Sequence, residues 1–467
     1  MSLFTLTLSL LLGFQFVHAG LPAKIYGVNL GSWLLIEPWM MPAEWISMGG
    51  EICNDCSKCI QSEYAFSEKY PDTVDAKFAK HWDTWFNQAD VDDLLENGLN
   101  AVRIPLGYWI VEALVDRKTE FYPRGGIKAL RRGLTQLKKA GISVVLDHHA
   151  LPGVHTPNQM FAGRCTTDVQ FYTDYNFHRA LVWTAVMTAL SHLDPAFETV
   201  ASIQAVNEQI MDASKTPGYG EFSKNFVKTV RAVETLLNIH YKRGHRSFDD
   251  RASSNFTATM EKMSRTSTFS LPVAKALQDA VPILVSLAVE LKIQTSIFGL
   301  SSLFRKREAL VTNFMDIGWQ HNNPSNPADA AIGPQAYDSH LYYNFGGVAA
   351  PNEEAHMRHI CNLNRIETNA ALGNTPLWFG EWWLAPMFEA SDEFLRKFAD
   401  AQKLVYGRSK GWFFWNFKIE QSDVIPADYP RTRSYTECVR RGYLTKNPAA
   451  VHDPHVCDPY ITPAVPA

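Results

Sequence analysis

Two glutamates close strand-like apolar runs that lie far apart in the chain. Leu377-Trp378-Phe379-Gly380-Glu381 ends on one, with Trp382 and Trp383 behind it, and Ile203-Gln204-Ala205-Val206-Asn207-Glu208 ends on the other. A β-branched and aromatic run of this length suits a buried strand better than a helix. A carboxylate at its end is costly to bury unless something there pairs with it or uses it. Two such carboxylates are what cleavage of a glycosidic bond needs, one to protonate the leaving oxygen and one to attack or to activate water. From composition alone the plainer reading is a surface charge just past each strand. The other strand ends reverse that preference.

The elements that must position this pair follow a repeated strand-then-helix pattern. Strands read at 25–29, 102–104, 143–147, 203–207, 310–314, 337–340, 377–380 and 412–415, with amphipathic helical segments at 81–97, 126–140, 177–192, 221–237, 353–372 and 392–406. Eight parallel strands alternating with helices predict a closed (β/α)8 TIM barrel rather than an open sheet, with the active site at the carboxyl ends of the strands. Reading those ends gives Glu37 after strand 1, Arg103 in strand 2, His148 and His149 at strand 3, and Asn207 with Glu208 at strand 4. His340 and Tyr342 close strand 6, Glu381 strand 7, and Trp415 with Asn416 strand 8. So many polar residues at equivalent points of one barrel mark a site.

These stretches resemble glycoside hydrolase family 5, and within it the fungal exo-β-1,3-glucanases. The likeness runs from Gly27-Val28-Asn29-Leu30-Gly31-Ser32-Trp33 to Cys457. It is most specific at Arg103-Ile104-Pro105-Leu106-Gly107-Tyr108-Trp109, Asp147-His148-His149-Ala150-Leu151-Pro152-Gly153, Asp338-Ser339-His340-Leu341-Tyr342, Gly380-Glu381-Trp382 and Gly411-Trp412-Phe413-Phe414-Trp415. The resemblance implies a retaining β-glycosidase with no cofactor, Glu208 as acid/base and Glu381 as nucleophile. It makes Arg103, Asn207, His340 and Tyr342 supports of the nucleophile and the transition state. Glu37, His149 and Trp415 would line the first sugar site and Phe345 would clamp the next sugar, with Phe161 as its partner. It also implies a Cys361–Cys457 disulfide. Where the family usually has Pro after the acid/base, this chain has Gln209, which bears on the leaving-group side.

The roles also follow from physical chemistry. Glu381 must be ionised to attack the anomeric carbon, and Arg103 nearby favours that form. Tyr342 and Asn207 can donate hydrogen bonds to the nucleophile or to the sugar 2-hydroxyl. Glu208 must carry a proton to act as acid, which calls for a dry site or a neighbouring carboxylate. A retaining enzyme needs its carboxyl groups roughly 5–5.5 Å apart and an inverting one about 6.5–9.5 Å, and the ends of strands 4 and 7 predict the shorter value. Substrates are then β-glucan or its oligosaccharides, with an exo-acting glucan 1,3-β-glucosidase as the leading reading. A β-1,6-glucanase or a diglycosidase acting on a large aglycone is the rival within enzymes. A non-catalytic carbohydrate-binding pseudoenzyme is the rival of another class.

Residues 2–19 form a Leu/Phe-rich run ending Val17-His18-Ala19, which reads as a signal peptide cut before Gly20. The product would be a secreted, extracellular or cell-wall protein, 20–467 forming one domain and acting as a monomer. A net charge of −4 with 20% charged residues gives no reason to expect nucleic acid or an anionic membrane as partner. Thirteen Trp, 17 Tyr and 27 Phe, several beside polar clusters, favour sugar faces as ligands. Seven cysteines in a secreted chain predict disulfides with one thiol over. Cys53, Cys56 and Cys59 lack a fourth ligand at zinc spacing, so they read with Cys165 and Cys438 as disulfide candidates and not as a metal site. Adjacent histidines in a strand face opposite ways, which gives His149 to the sugar and His148 to the core, again without metal. Asn255-Phe256-Thr257 is an N-glycosylation acceptor. An insertion of about 70 residues, 238–308, separates the fourth helix from the fifth strand, too long for an ordinary loop. Its apolar stretch is interrupted by Lys275, Asp279 and Glu290, against a membrane span. It joins a helix to the next strand, so it should lie away from the mouth.

Overall fold

In the computed structural model, which describes residues 20–239, 256–293, 308–320 and 332–462, eight parallel strands pair in sequence order and close on themselves. They are β1 (Ile25–Asn29), β2 (Ala101–Gly107), β3 (Ser143–Ala150), β4 (Val200–Gln204), β5 (Val311–Met315), β6 (Gln335–His340), β7 (Leu377–Glu381) and β8 (Gly411–Phe414). The leader read at 1–19 and the acceptor Asn255 lie outside the described residues, as do 240–255 and 294–307 of the insertion.

Strand alternation sorts the barrel interior into layers. At the amino-terminal end Ile25, Ala101, Val145, Ala336, Trp378 and Phe413 form an apolar cluster of their own. Two residues further along β2, β3 and β6 stand Arg103, Asp147 and Asp338, all fully buried. Two further again on β3 and β6 come His149 and His340. The barrel thus passes from an apolar floor through a charged layer to a polar mouth. Gly380 is fixed by this layering, since a β-carbon there would overlap the Asp338 carboxylate.

Helices Gly126–Ala140 and Asp392–Tyr406 occupy the predicted ranges. Two predicted helices are each two helices. The segment 81–97 breaks between Val74–Trp85 and Gln88–Glu96 because Asn87 starts a new helix: its side chain accepts from Ala89 N–H, and Asp90 accepts from Asn87 N–H in return. The segment 353–372 breaks between Glu353–Cys361 and Arg365–Ala371. β4 ends at Gln204, so Asn207 and Glu208 lie on the following loop rather than in the strand. Helix Asp174–Leu193, expected to be amphipathic, is buried along nearly its whole length from Arg179 to Leu193. The reason is a second cover. The described insertion helices Phe256–Ser264 and Leu271–Glu290 lie outside the barrel helices; Leu271–Glu290 packs on Asp174–Leu193 and on Tyr219–Leu236.

Leu271–Glu290 is long and apolar enough to cross a membrane by composition, yet Val273, Ala276, Leu277, Ala280 and Leu284 are buried against its neighbours. Asp279 meets His178 at 2.7 Å and Glu290 meets Lys128 at 2.9 Å. No described residue of the insertion lines the central cavity.

Cys361 is bonded to Cys457, tying the C-terminal tail to helix Glu353–Cys361. Cys53 pairs with Cys59 and Cys56 with Cys165, which staples the loop after β1 to the loop after β3. Cys438 is left as a buried thiol.

Candidate active site

A cavity of about 610 Å³ opens at the carboxyl ends of the strands. At its base a side-chain oxygen of Glu208, one of Glu381 and a ring nitrogen of His340 all lie within 4.8 Å of one another. His340 Nδ1 is 2.7 Å from Glu208 Oε1 and 3.4 Å from Glu381 Oε2, and its Nε2 is 3.5 Å from Asp338 Oδ2. Burial works against charge on this imidazole, but Glu381, Asp338 and its hydrogen bonds outweigh that and raise its pKa to about 10. It sits between the two glutamates.

Glu381 is held from two sides. Arg103 Nη1 donates to Oε1 at 2.9 Å and the Tyr342 hydroxyl donates to Oε2 at 2.6 Å. Burial pushes the Glu381 carboxyl above the ordinary glutamate value, and the charges of His340 and Arg103 restrain that rise. Arg103 has no exposure. Burial opposes its charge too, but Asp147, Glu381 and Asp338 overcome this and hold its pKa above the usual arginine value. Its other donors reach Asn29 Oδ1 at 3.0 Å, Gln204 Oε1 at 2.9 Å and Asn207 Oδ1 at 2.7 Å. A planar five-donor group alone satisfies so many acceptors at fixed angles. Asn207 reaches Arg103 rather than Glu381, and its Nδ2 is 3.3 Å from His149 Nε2.

Glu208 stands nearer to solvent: its side chain is 16% exposed against 5% for Glu381. Its backbone has φ +38°, a left-handed conformation that a non-glycine residue keeps only when its surroundings enforce it. The next residue helps. Gln209 is buried and its Nε2 donates to the Trp319 carbonyl, joining the loops after β4 and β5.

Glu37, His149, Trp415, Phe161 and Phe345 line the same cavity. His149 Nδ1 bonds Asp147 Oδ2 at 2.5 Å and its ring stacks on Trp415, with centroids 5.6 Å apart. Glu37 accepts from the Trp39 indole at 2.9 Å, and burial raises its pKa to about 7. Phe345 is 60% exposed at the rim. His148 faces away and stacks on Trp183 at 3.9 Å, where burial keeps it neutral. Sequence reasoning missed the acceptors beneath Arg103. Asp147 and Asp338 precede His149 and His340 by two residues, so strand alternation could have placed them on the same face. It also missed Trp39, Trp383, Tyr429 and Arg433 on one wall, the last two from the short helix Asp428–Arg433 after β8.

Comparison with known proteins fits this arrangement. No family model matches the chain. Glucan endo-1,6-beta-glucosidase B of Emericella nidulans is 27% identical over 449 residues, covering 94% of this chain and 89% of that protein. A probable glucan 1,3-beta-glucosidase A of Aspergillus niger is 33% identical over 184 residues, 39% of this chain and 41% of that protein. The crystal structure of a rutinosidase from Aspergillus niger shares the fold, with a TM-score of 0.59 at 16% identity over 90% of this chain and 97% of that one. The chain is an O-glycosyl hydrolase. As such a hydrolase it carries a carboxylate pair at the base of the cavity, a histidine between the two, and an aromatic mouth.

Proposed function

We propose that the protein is a secreted, retaining β-glucan hydrolase of glycoside hydrolase family 5, with Glu381 as nucleophile and Glu208 as acid/base. The observation that carries this is the separation of the two glutamates. Oxygens of the two carboxyl groups within 4.8 Å support the spacing of about 5–5.5 Å between carboxyls that a retaining pair needs over the about 6.5–9.5 Å of an inverting pair. Glu381, anchored by Arg103 and Tyr342, attacks the anomeric carbon while Glu208 gives its proton to the leaving oxygen, and the glycosidic C–O bond breaks. The ester so formed removes the charge of Glu381. Water then attacks the same carbon, Glu208 takes its proton, and Glu381 leaves as a carboxylate. His340 lies beside both carboxyl groups, 2.7 Å from Glu208 and 3.4 Å from Glu381.

The linkage reading rests on the relatives. The protein that matches along nearly the whole chain is named for endo-1,6 action, which supports β-1,6-glucan as substrate. The shorter, more identical match is named as a probable glucan 1,3-beta-glucosidase, which supports the β-1,3 linkage of the other reading. Three disulfides support an extracellular or cell-wall location, since such bonds persist in oxidising compartments. Incubating the purified protein with pustulan, laminarin and rutin, with products followed by chromatography and the first anomer by NMR, tests all of this. β-Configured glucose or oligosaccharide from pustulan or laminarin is expected. An α-configured first product overturns retention, and release from rutin alone overturns the glucan assignment.

A further inference from the structure

Glu208 and Glu381 are held by different means. The Glu381 carboxyl is anchored at both oxygens, by Arg103 and by Tyr342. Among the described residues the Glu208 carboxyl has one hydrogen-bond partner, His340 at 2.7 Å. The position of its backbone therefore decides where this side chain points. That backbone lies in the left-handed region, at φ +38°, which a residue with a β-carbon keeps only under constraint. A proline at 209 would press Glu208 towards extended backbone. Gln209 imposes no such limit, so hydrogen bonds have to hold the turn.

They come from β3 and the loop after it. Asn207 N–H donates to the His148 carbonyl at 3.3 Å. The Thr156 hydroxyl donates to the Glu208 carbonyl at 2.7 Å. Ile210 N–H donates to the Tyr172 hydroxyl at 3.2 Å, and that hydroxyl donates in turn to the His155 carbonyl at 3.0 Å. The loop supplying these groups is itself tied down. At its base Gln170 N–H donates to the Gly153 carbonyl at 2.6 Å and Phe171 N–H to the Val154 carbonyl at 3.2 Å, and Cys165 bonds it to Cys56. Neither Thr156 nor Tyr172 lines the cavity, so a sugar held there meets neither. We propose that Thr156 and Tyr172 are positioning residues for proton transfer: they fix the turn 207–210 and so aim the Glu208 carboxyl at the leaving oxygen. The inference rests on the reading of Glu208 as acid/base.

Leaving-group dependence tests this, because an activated leaving group departs with little help from an acid. The measurement is kcat/KM on 2,4-dinitrophenyl and phenyl β-glucoside for wild type, Thr156→Val, Thr156→Ser, Tyr172→Phe and Glu208→Ala, with circular dichroism as the fold control. Thr156→Val keeps the shape and loses the donor. It should lower the phenyl glucoside value by about 10- to 100-fold, the scale for a group misplaced by about 1 Å, and the dinitrophenyl value by less than about 3-fold. Thr156→Ser restores the donor and should keep the wild-type ratio of the two rates. Tyr172→Phe removes the acceptor for Ile210 N–H, should show the same selective loss, and carries the test if Thr156→Val does not fold. Equal losses on both substrates, or no loss, in a folded variant overturn the positioning role of that residue. If Glu208→Ala is selective in that experiment, the acid/base reading stands while the inference falls. Equal losses in Glu208→Ala overturn that reading and the inference with it.

Discussion

Arg103 donates from Nη1 to Oε1 of Glu381 at 2.9 Å, and neither the guanidinium nor the contact is open to solvent. A buried charge pair of this kind is costly to break from one side, and here the arginine also organises Asn29, Gln204 and Asn207. Arg103→Lys keeps the charge but cannot fill these positions. It is expected to lower kcat on an aryl glucoside by about 10²-fold or more, the scale for loss of one preorganised donor. Steady-state kinetics with circular dichroism as a fold control measures it.

The two glutamates should separate by chemical rescue. Glu381→Ala has no nucleophile and should lose turnover by about 10⁴-fold or more. Glu208→Ala should slow substrates with poor leaving groups most, and azide should restore activity and yield a β-glycosyl azide. An α-azide, or rescue of Glu381→Ala only, exchanges the roles.

Glu63 gives a pH-dependent stability. It is fully buried, its Oε1 accepts from Ile36 N–H at 2.7 Å next to Glu37, and burial raises its pKa from 4.5 to about 8. Below pH 4.5 both folded and unfolded states hold the proton. Above it the unfolded chain releases the proton first, so stability falls as pH rises towards 8. Glu63→Gln keeps the acceptor and removes this loss. The variant should match wild type at pH 4 and exceed it by at least ~1 kcal/mol at pH 8, read by chemical denaturation at both pH values.

Gln209→Pro should release Trp319, because proline has no side-chain donor for the Trp319 carbonyl. The expected result is a several-fold rise in KM for glucan relative to an aryl glucoside, since Trp319 lines the cavity beside His340. An unchanged KM ratio removes Gln209 from specificity.

The Cys361–Cys457 bond closes a loop of 96 residues. Replacing both cysteines by alanine should cost on the order of 3–5 kcal/mol in the chain-entropy model, seen in denaturant unfolding. Neither cysteine lines the cavity, so nitrophenyl glucoside turnover at low temperature should persist.

Much of the site was legible because parallel barrels put function at strand ends. Once 377–380 and 203–207 read as strands, Glu381 and Glu208 followed, and Arg103, His149, His340, Tyr342 and Trp415 joined them by the same rule. Break points were less legible. Asn87 looks like any helix residue until its capping partners Ala89 and Asp90 fold round it. The hydrophobic stretch of 174–193 reads as a helix, but that two layers cover it depends on the insertion lying outside it.

By itself the sequence determined the number and order of the strands and the polar residues at or just beyond their ends, because periodicity and burial act locally. Only the tertiary structure decided which of those residues meet. Arg103 reaches Asp338, Gln209 reaches Trp319, Cys56 finds Cys165, and Tyr429 meets Trp39 across nearly 400 positions. These contacts arise from barrel closure and loop packing. No local pattern encodes them, since the partners come together only when distant strands share one mouth.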